Sequence, residues 1–431
     1  MASPKSPTPD DVRAMFAAAL SDMYRKEVPL YGDLLELVAD INNQHSNELS
    51  RESHHRIEVE RHGAIRLGTA EELFTMRRFF AVMDMHPVGY YDLTVAGLPV
   101  HATCFRPLTT KSLAQNPFRV FTSLLRLDLL DDLDVIAKAK EILARRQIFT
   151  PRCLEMIQAF ESRPILSQFE AEDFIQEALE TLRWHQTSTV DLETYQALQK
   201  AHPLVADVVC FRGPHLTPRV LDIEAAHVEM QRRGMQAKKD VEGPPARKNP
   251  ILLRQTSFLA LQERISFLNS QGHDGKHRAR FGEIEQRGMA LTPKGRSLYD
   301  DISSRKQRGI GSFDEFPDDL ETLRQKGLIY VSYSAAPDAI TVSDARDIDE
   351  LVEAQLLRYT PITYEYFLPA SAAGISNSNL DEHKSTQPHV GGDRKGFEKA
   401  LGWEVRSEFE LYEKMERYSL EESLAVLSRK R

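Results

Sequence analysis

Twice along this chain an extended segment leads into a helix and then into further extended segments, and that repeated order limits the possible folds more than composition does. In the first pass, "RIEVERHGAIRLG" (56–68) is rich in β-branched residues and loosely alternating, and "TAEELFTMRRFFAVMD" reads as a capped helix. "PVGYYDL" and "LPVHATCFRPL" then read as two strands. In the second pass, "LVADVVCFRG" and "HLTPRVLD" supply strand and turn, and "IEAAHVEMQRRGM" supplies a helix. "ILLRQTSFLAL" and "RARFGEIEQRGMAL" add two more strands. Residues 119–201 separate the passes, are helical by pattern, and read as an inserted bundle. The two passes share element order, not residue identity.

This order predicts an α+β chain with five parts. Residues 1–55 form a disordered leader and N-terminal helices, and 56–130 a first βα-strand module. Residues 131–204 form a helical insertion, 205–310 a second βα-strand module, and 311–431 a closing strand and helix segment. With 431 residues, 41% hydrophobic and 28% charged, the chain can bury a sizeable core. A net charge of −9 argues against nucleic acid or an anionic membrane as partner. An anionic substrate would need individual arginines. Cys104, Cys153 and Cys210 form no CxxC pair and suit a reducing compartment. No apolar run is long enough to span a bilayer, and "MASPKSPTPDD" lacks a signal-peptide core, so the cytoplasm is expected.

In an extended "RHGAIR", His62 and Arg66 point the same way with Ala64 between them, because strand side chains alternate with period 2. The same rule aligns Glu283, Glu285 and Arg287 in "FGEIEQRG". A carboxylate on such a strand is costly to bury unpaired and calls for water, a cation or a metal. His215 lies between a Gly-Pro turn and a Thr-Pro step. Two histidines and a carboxylate with positions left open are a ligand set for non-haem Fe(II), which His62, His215 and Glu283 could supply. A strand-end histidine and a salt-bridged glutamate are the plain alternative. "HH" at 54–55 and "HDGKH" at 273–277 read as surface positions. No GxGxxG after a strand, P-loop, HExxH or GxSxG occurs.

At these residues the sequence resembles the 2-oxoadipate dioxygenase/decarboxylases, non-haem iron enzymes of the vicinal oxygen chelate superfamily. The resemblance rests on "VPLYGDLLELV", "ERHGAIRLGTAEEL", "PVGYYDL", "NPFRVFTSLLRL", "LVADVVCFRGPH", "LTPRVLDI", "LLRQTSF", "RFGEIEQRGMALTPKGR" and "FLPASAAGI", in the family's order from about residue 12 to 410. It implies two βαβββ-type modules forming a cupped mixed sheet, with helical insertions. It also implies that His62, His215 and Glu283 hold Fe(II). His62, Arg66, Ala370 and Ser371 would contact the substrate, with Arg66 on its remote carboxylate. The family commonly reads Gly-Pro-His-Ile-Asn-His-Leu-Thr-Pro-Arg around the second histidine, and this chain is three residues shorter there.

The implied reaction turns 2-oxoadipate and dioxygen into (R)-2-hydroxyglutarate and carbon dioxide, in lysine catabolism. An arginine suits the remote carboxylate because its planar fork binds bidentately and stays charged. A metal-dependent lyase or isomerase on the same fold, or an inert regulatory relative, are the competing readings.

Overall fold

The computed structural model describes residues 6–45, 51–211, 213, 215–268, 274–279, 282–337, 347–368 and 392–429. The chain is a mixed α/β protein. It divides into two compact units, one of Met1–Glu242, Gln255–Gln286 and Pro369–Val405, the other of Gly243–Arg254, Arg287–Leu368 and Arg406–Arg431. Among the described residues no helix is long and apolar enough to cross a membrane.

Two helices open the first unit, α1 (Pro9–Glu27) and α2 (Pro29–Gln44), where N-terminal helices are expected. The Thr8 side chain accepts from the Asp11 amide while the Asp11 carboxylate accepts from the Thr8 amide, closing a capping box on α1. Arg13, fully buried on α1, donates to the main-chain oxygens of Met83, Ser112 and Asn116 and to Asp10. These acceptors offset the cost of a cation inside the core. Then α3 (Arg51–Val59) precedes β1 (Arg61–Leu67), so only the second half of "RIEVERHGAIRLG" is strand. The alternating charges fit both periods: Arg56 reaches Glu60 at 3.7 Å, a helical i, i+4 pair.

Next come α4 (Ala70–Ala81), β2 (His86–Asp92), β3 (Val100–Arg106), α5 (Thr110–Gln115) and β4 (Arg119–Leu125). The helical expectation from residue 119 is therefore wrong at its start. Every residue of β4 is buried, so the strand shows no polar alternation to betray it. From Leu133 the helical pattern holds, in α6 (Leu133–Ala144), α7 (Pro151–Ser162), α8 (Gln168–Leu182) and α9 (Leu192–Ala201). The run "LVADVVC", expected as strand, is instead helix α10 (Pro203–Cys210). Pro203 sits in its first turn and the His202 ring accepts from the Leu204 amide. A short, wholly buried run carries no solvent-facing period, and here the cap decides.

A strand β5 (His215–Pro218) completes a five-stranded sheet ordered β2-β3-β4-β1-β5. In it β1 runs parallel to β4 and antiparallel to β5. Helix α11 (Ile223–Arg232) follows, then β6 (Leu253–Ser257), β7 (Leu261–Ser266), β8 (Asp274–Ala279) and β9 (Glu283–Arg287). β7 and β8 form an antiparallel hairpin, and β6 pairs with β9. Residues 237 and 242 bridge antiparallel to 258 and 255, and Arg219 bridges parallel to Glu285 within β9. Gly282 lets β9 start: a Cβ there would lie 2.3 Å from the Phe258 ring, whose amide donates to the Gly282 oxygen.

In the second unit α12 (Pro293–Gln307) and α13 (Leu320–Gln325) lead to β10 (Val331–Ala335). α14 (Ile348–Glu353) and β11 (Leu357–Pro361) follow, β11 pairing antiparallel with β10. α15 (Arg394–Leu401) belongs to the first unit, where Phe397 packs edge-on against Tyr90 and His101. α16 (Glu408–Arg429) belongs to the second, where Glu416 accepts from the Val331 amide and Leu427 shares a small core with Ala336, Leu351 and Leu357.

Candidate metal centre

The register of β1 and β5 places Ala64 opposite His215 and His62 opposite Thr217, so the two histidines come from neighbouring strands. The Val220 amide donates to the Glu285 oxygen at 2.8 Å, which lays β9 alongside the end of β5. His62, His215 and Glu283 thereby converge, with one ligand atom from each within 4.8 Å of the others. Glu283 Oε2 lies 3.4 Å from His62 Nε2 and 3.7 Å from His215 Nε2. The two rings stand 6.2 Å apart at 83°. All three side chains are buried, and the Thr217 hydroxyl donates to Glu283 at 3.2 Å.

Behind His62 runs a buried ionic chain. His62 Nδ1 meets Glu285 Oε2 at 2.8 Å, and the carboxylate can only accept, so Nδ1 carries a proton and Nε2 is the nitrogen that faces Glu283. Arg119, opposite His62 in the β1–β4 register, donates to Glu285 at 3.2 Å and to Glu60 at 2.7 Å. Arg219 donates to the other oxygen of Glu60 at 2.8 Å. Period 2 on β9 explains why Glu283 and Glu285 share a face yet reach different atoms of one imidazole.

Burial would lower the His62 pKa, but the charges of Glu285 and Glu283 outweigh it and hold it above the ordinary histidine value. For His215 burial wins, with help from the charges of His62 and Arg66, and its pKa falls to about 4. Burial would raise Glu283, but hydrogen bonds from His215 and His62 hold it below the usual carboxylate range. The centre therefore offers a neutral imidazole, a carboxylate and a second imidazole whose distal nitrogen is tied to an anion. Hard oxygen and borderline nitrogen donors of this kind fit a divalent first-row metal, and three protein ligands leave coordination positions for other molecules.

Arg66 lies on the same face of β1 as His62, four residues on, and is 15% exposed at its side chain. Its guanidinium donates to Asp207 at 3.0 Å. Ala370 and Ser371 lie outside the described residues. Two residues near Arg66 differ from their expected settings. His277, expected at the surface, is buried, and it meets Asp207, which sits on the unexpected helix α10. Arg119 and Glu285 also escaped notice as a pair; an arginine inside the apolar "NPFRVFTSLL" and a second glutamate two residues after Glu283 were the available signals.

The family of 2-oxoadipate dioxygenase/decarboxylases matches residues 16–379. The 2-oxoadipate dioxygenase/decarboxylase of Pseudomonas putida is 48% identical over 453 residues, covering 98% of each chain. That of Escherichia coli is 49% identical over 437 residues, covering 96% of this chain and 97% of its own. The hydroxyglutarate synthase of Pseudomonas putida, solved in complex with 2-oxoadipate, superposes with a TM-score of 0.88 at 48% identity, covering 99% of this chain and all of that one. On that match, near the whole length of both proteins, the chain belongs to the 2-oxoadipate dioxygenase/decarboxylase family.

Proposed function

We propose that this protein converts 2-oxoadipate and dioxygen to (R)-2-hydroxyglutarate and carbon dioxide, using Fe(II) held by His62, His215 and Glu283. The observation that carries the reading is the buried convergence of those three side chains in a chain of this family. Bound there, a ferrous ion would supply the activation of dioxygen, a chemistry that amino-acid side chains do not perform. The atoms balance without a second organic substrate: the six carbons of the acid become five plus carbon dioxide, and both oxygen atoms are retained in the products.

The residues have separable tasks. His215, kept neutral by burial, offers a lone pair over the physiological range. Glu285 and Arg119 hold the His62 ring with its Nε2 toward Glu283. Arg66 takes the remote carboxylate of the substrate, so the distance from the centre to its guanidinium selects the length of the acid. Ala370 and Ser371 complete the substrate contact.

On this reading the strands that carry these groups belong to two βαβββ modules forming a cup. The first is β1, α4, β2, β3, β4, in the sheet order β2-β3-β4-β1. The second would be β5, α11, the bridged segment 237–242, β6 and β9. Residues 237 and 242 bridge to 258 and 255, β6 pairs with β9, and β9 meets the end of β5 in parallel, which supports the same order. On this reading the β7–β8 hairpin is an excursion within the second module.

The test is anaerobic loading with Fe(II), followed by a screen of 2-oxo acids with an oxygen electrode. Oxygen uptake matched mole for mole to loss of 2-oxoadipate and to carbon dioxide release is expected. Turnover without oxygen uptake would point to a lyase, and failure to take up iron to an inert relative.

A further inference from the structure

Helix α10 turns Asp207 toward β1, and its carboxylate is engaged from two sides. Oδ2 accepts from Arg66 at 3.0 Å, and Oδ1 lies 3.0 Å from His277 Nε2. His277 Nδ1 lies 3.0 Å from the Tyr195 hydroxyl. Tyr195, His277 and Asp207 are each less than one-tenth exposed. The His277 ring is stacked on Phe211 at 4.2 Å and lies parallel to Trp184 at 6.3 Å, so it cannot swing freely. The donors and acceptors fall in one direction: the carboxylate accepts from Nε2–H, which leaves Nδ1 to accept from the tyrosine. Asp207 is thus fixed by aromatic packing and by a hydrogen-bonded partner before it meets Arg66.

We propose that Asp207, held by His277 and Tyr195, is a positioning residue that fixes the Arg66 guanidinium as the gauge of chain length for dicarboxylic 2-oxo acids. This rests on the reading of Arg66 as partner to the substrate's remote carboxylate. An unrestrained arginine has a long, flexible side chain and would follow a carboxylate carried nearer or farther by one methylene. A planar guanidinium pinned through one nitrogen keeps its plane and reach, and a misplaced carboxylate loses the bidentate fit. The Asp207 charge also offsets that of Arg66, so the pair discriminates between dianions more than it attracts them.

The experiment measures binding of 2-oxoglutarate, 2-oxoadipate and 2-oxopimelate by calorimetry to the full chain loaded with Zn(II), so that the readout does not depend on turnover. The wild type is compared with Asp207→Asn and Tyr195→Phe. The expected result is that Asp207→Asn lowers the preference for the six-carbon acid about tenfold, with Zn(II) stoichiometry unchanged. Tyr195→Phe should shift the preference the same way by less. Equal weakening toward all three acids, or an unchanged ratio, overturns the proposal. If Asp207→Asn does not fold, Tyr195→Phe decides by the same criterion. A wild type that prefers the six-carbon acid beside unaltered variants refutes only the gauge; a wild type that binds none of the acids refutes the substrate reading beneath it.

Discussion

Glu285 Oε2 lies 2.8 Å from His62 Nδ1, with both side chains wholly buried. The contact leaves His62 one usable lone pair, on Nε2. In Glu285→Gln an amide group can donate to Nδ1 and drive the proton to Nε2, where it would compete with a metal. Such supporting contacts are worth about 10–100-fold in metal affinity. Titration with Co(II), followed by the visible spectrum, should show that weakening with a changed band shape and an unchanged far-ultraviolet circular dichroism spectrum. Wild-type affinity in the variant would refute the role.

Arg66→Ala should raise KM for 2-oxoadipate sharply, on the order of a hundredfold, because a bidentate charge-assisted pair is lost. Iron content should stay at the wild-type level, since Arg66 is not among the three converging ligands. Metal analysis and steady-state kinetics read the two effects separately. Loss of iron with unchanged KM would contradict the assignment.

Metal loading should stabilise the fold. A ligand that binds only the folded chain adds about 2.7 kcal/mol at a hundred times its Kd. Thermal melts with and without a divalent metal should therefore separate for the wild type. The separation should vanish in Glu283→Ala, which removes the carboxylate between the two imidazoles. An equal shift in that variant would place the metal elsewhere.

Acid should destabilise the first unit through His101. Burial, aided by Arg126, pushes its pKa down to about 4 from 6.5, while the neighbouring Tyr90 hydroxyl, itself pushed up to about 12, remains a donor. Between pH 6.5 and 4 the unfolded chain binds the extra proton, so this contribution is complete above pH 6.5 and is lost as pH falls toward 4. The shift corresponds to on the order of 3 kcal/mol. His101→Phe keeps a ring against Phe397 and should lose less stability than wild type between pH 7.5 and 4.5 in urea titrations. Parallel losses would rule His101 out.

Much of this arrangement was legible in the sequence. The capped helix α4 announced itself through Thr69 with apolar periodicity behind it. "RHGAIR" and "FGEIEQRG" declared which residues share a face, because strand geometry allows no other result. Local pattern failed where burial is complete. β4 is buried throughout and α10 from Leu204 onward, and neither shows the solvent-facing side by which strand and helix are told apart. The same blindness hid His277, whose polar surroundings in sequence gave no sign of the stacked aromatic rings that bury it. Which carboxylate is the candidate ligand and which supports the imidazole depends on Arg119, more than a hundred and sixty residues before Glu285 in the chain.

The sequence distance across the His62–Glu285 contact, 223 residues, also sets a schedule for biosynthesis. At about 5–20 residues per second, roughly 10–45 s of translation separate the appearance of the histidine from that of the strand bearing both glutamates. During that interval an N-terminal segment with its β1–β4 pairing could collapse around α1 and α4, yet it would have no carboxylate from β9 to offer. Capture of a metal at this centre would therefore be a late event, after the ribosome has delivered the chain past Glu285. Truncated products ending before that point would not sequester the ion at this centre.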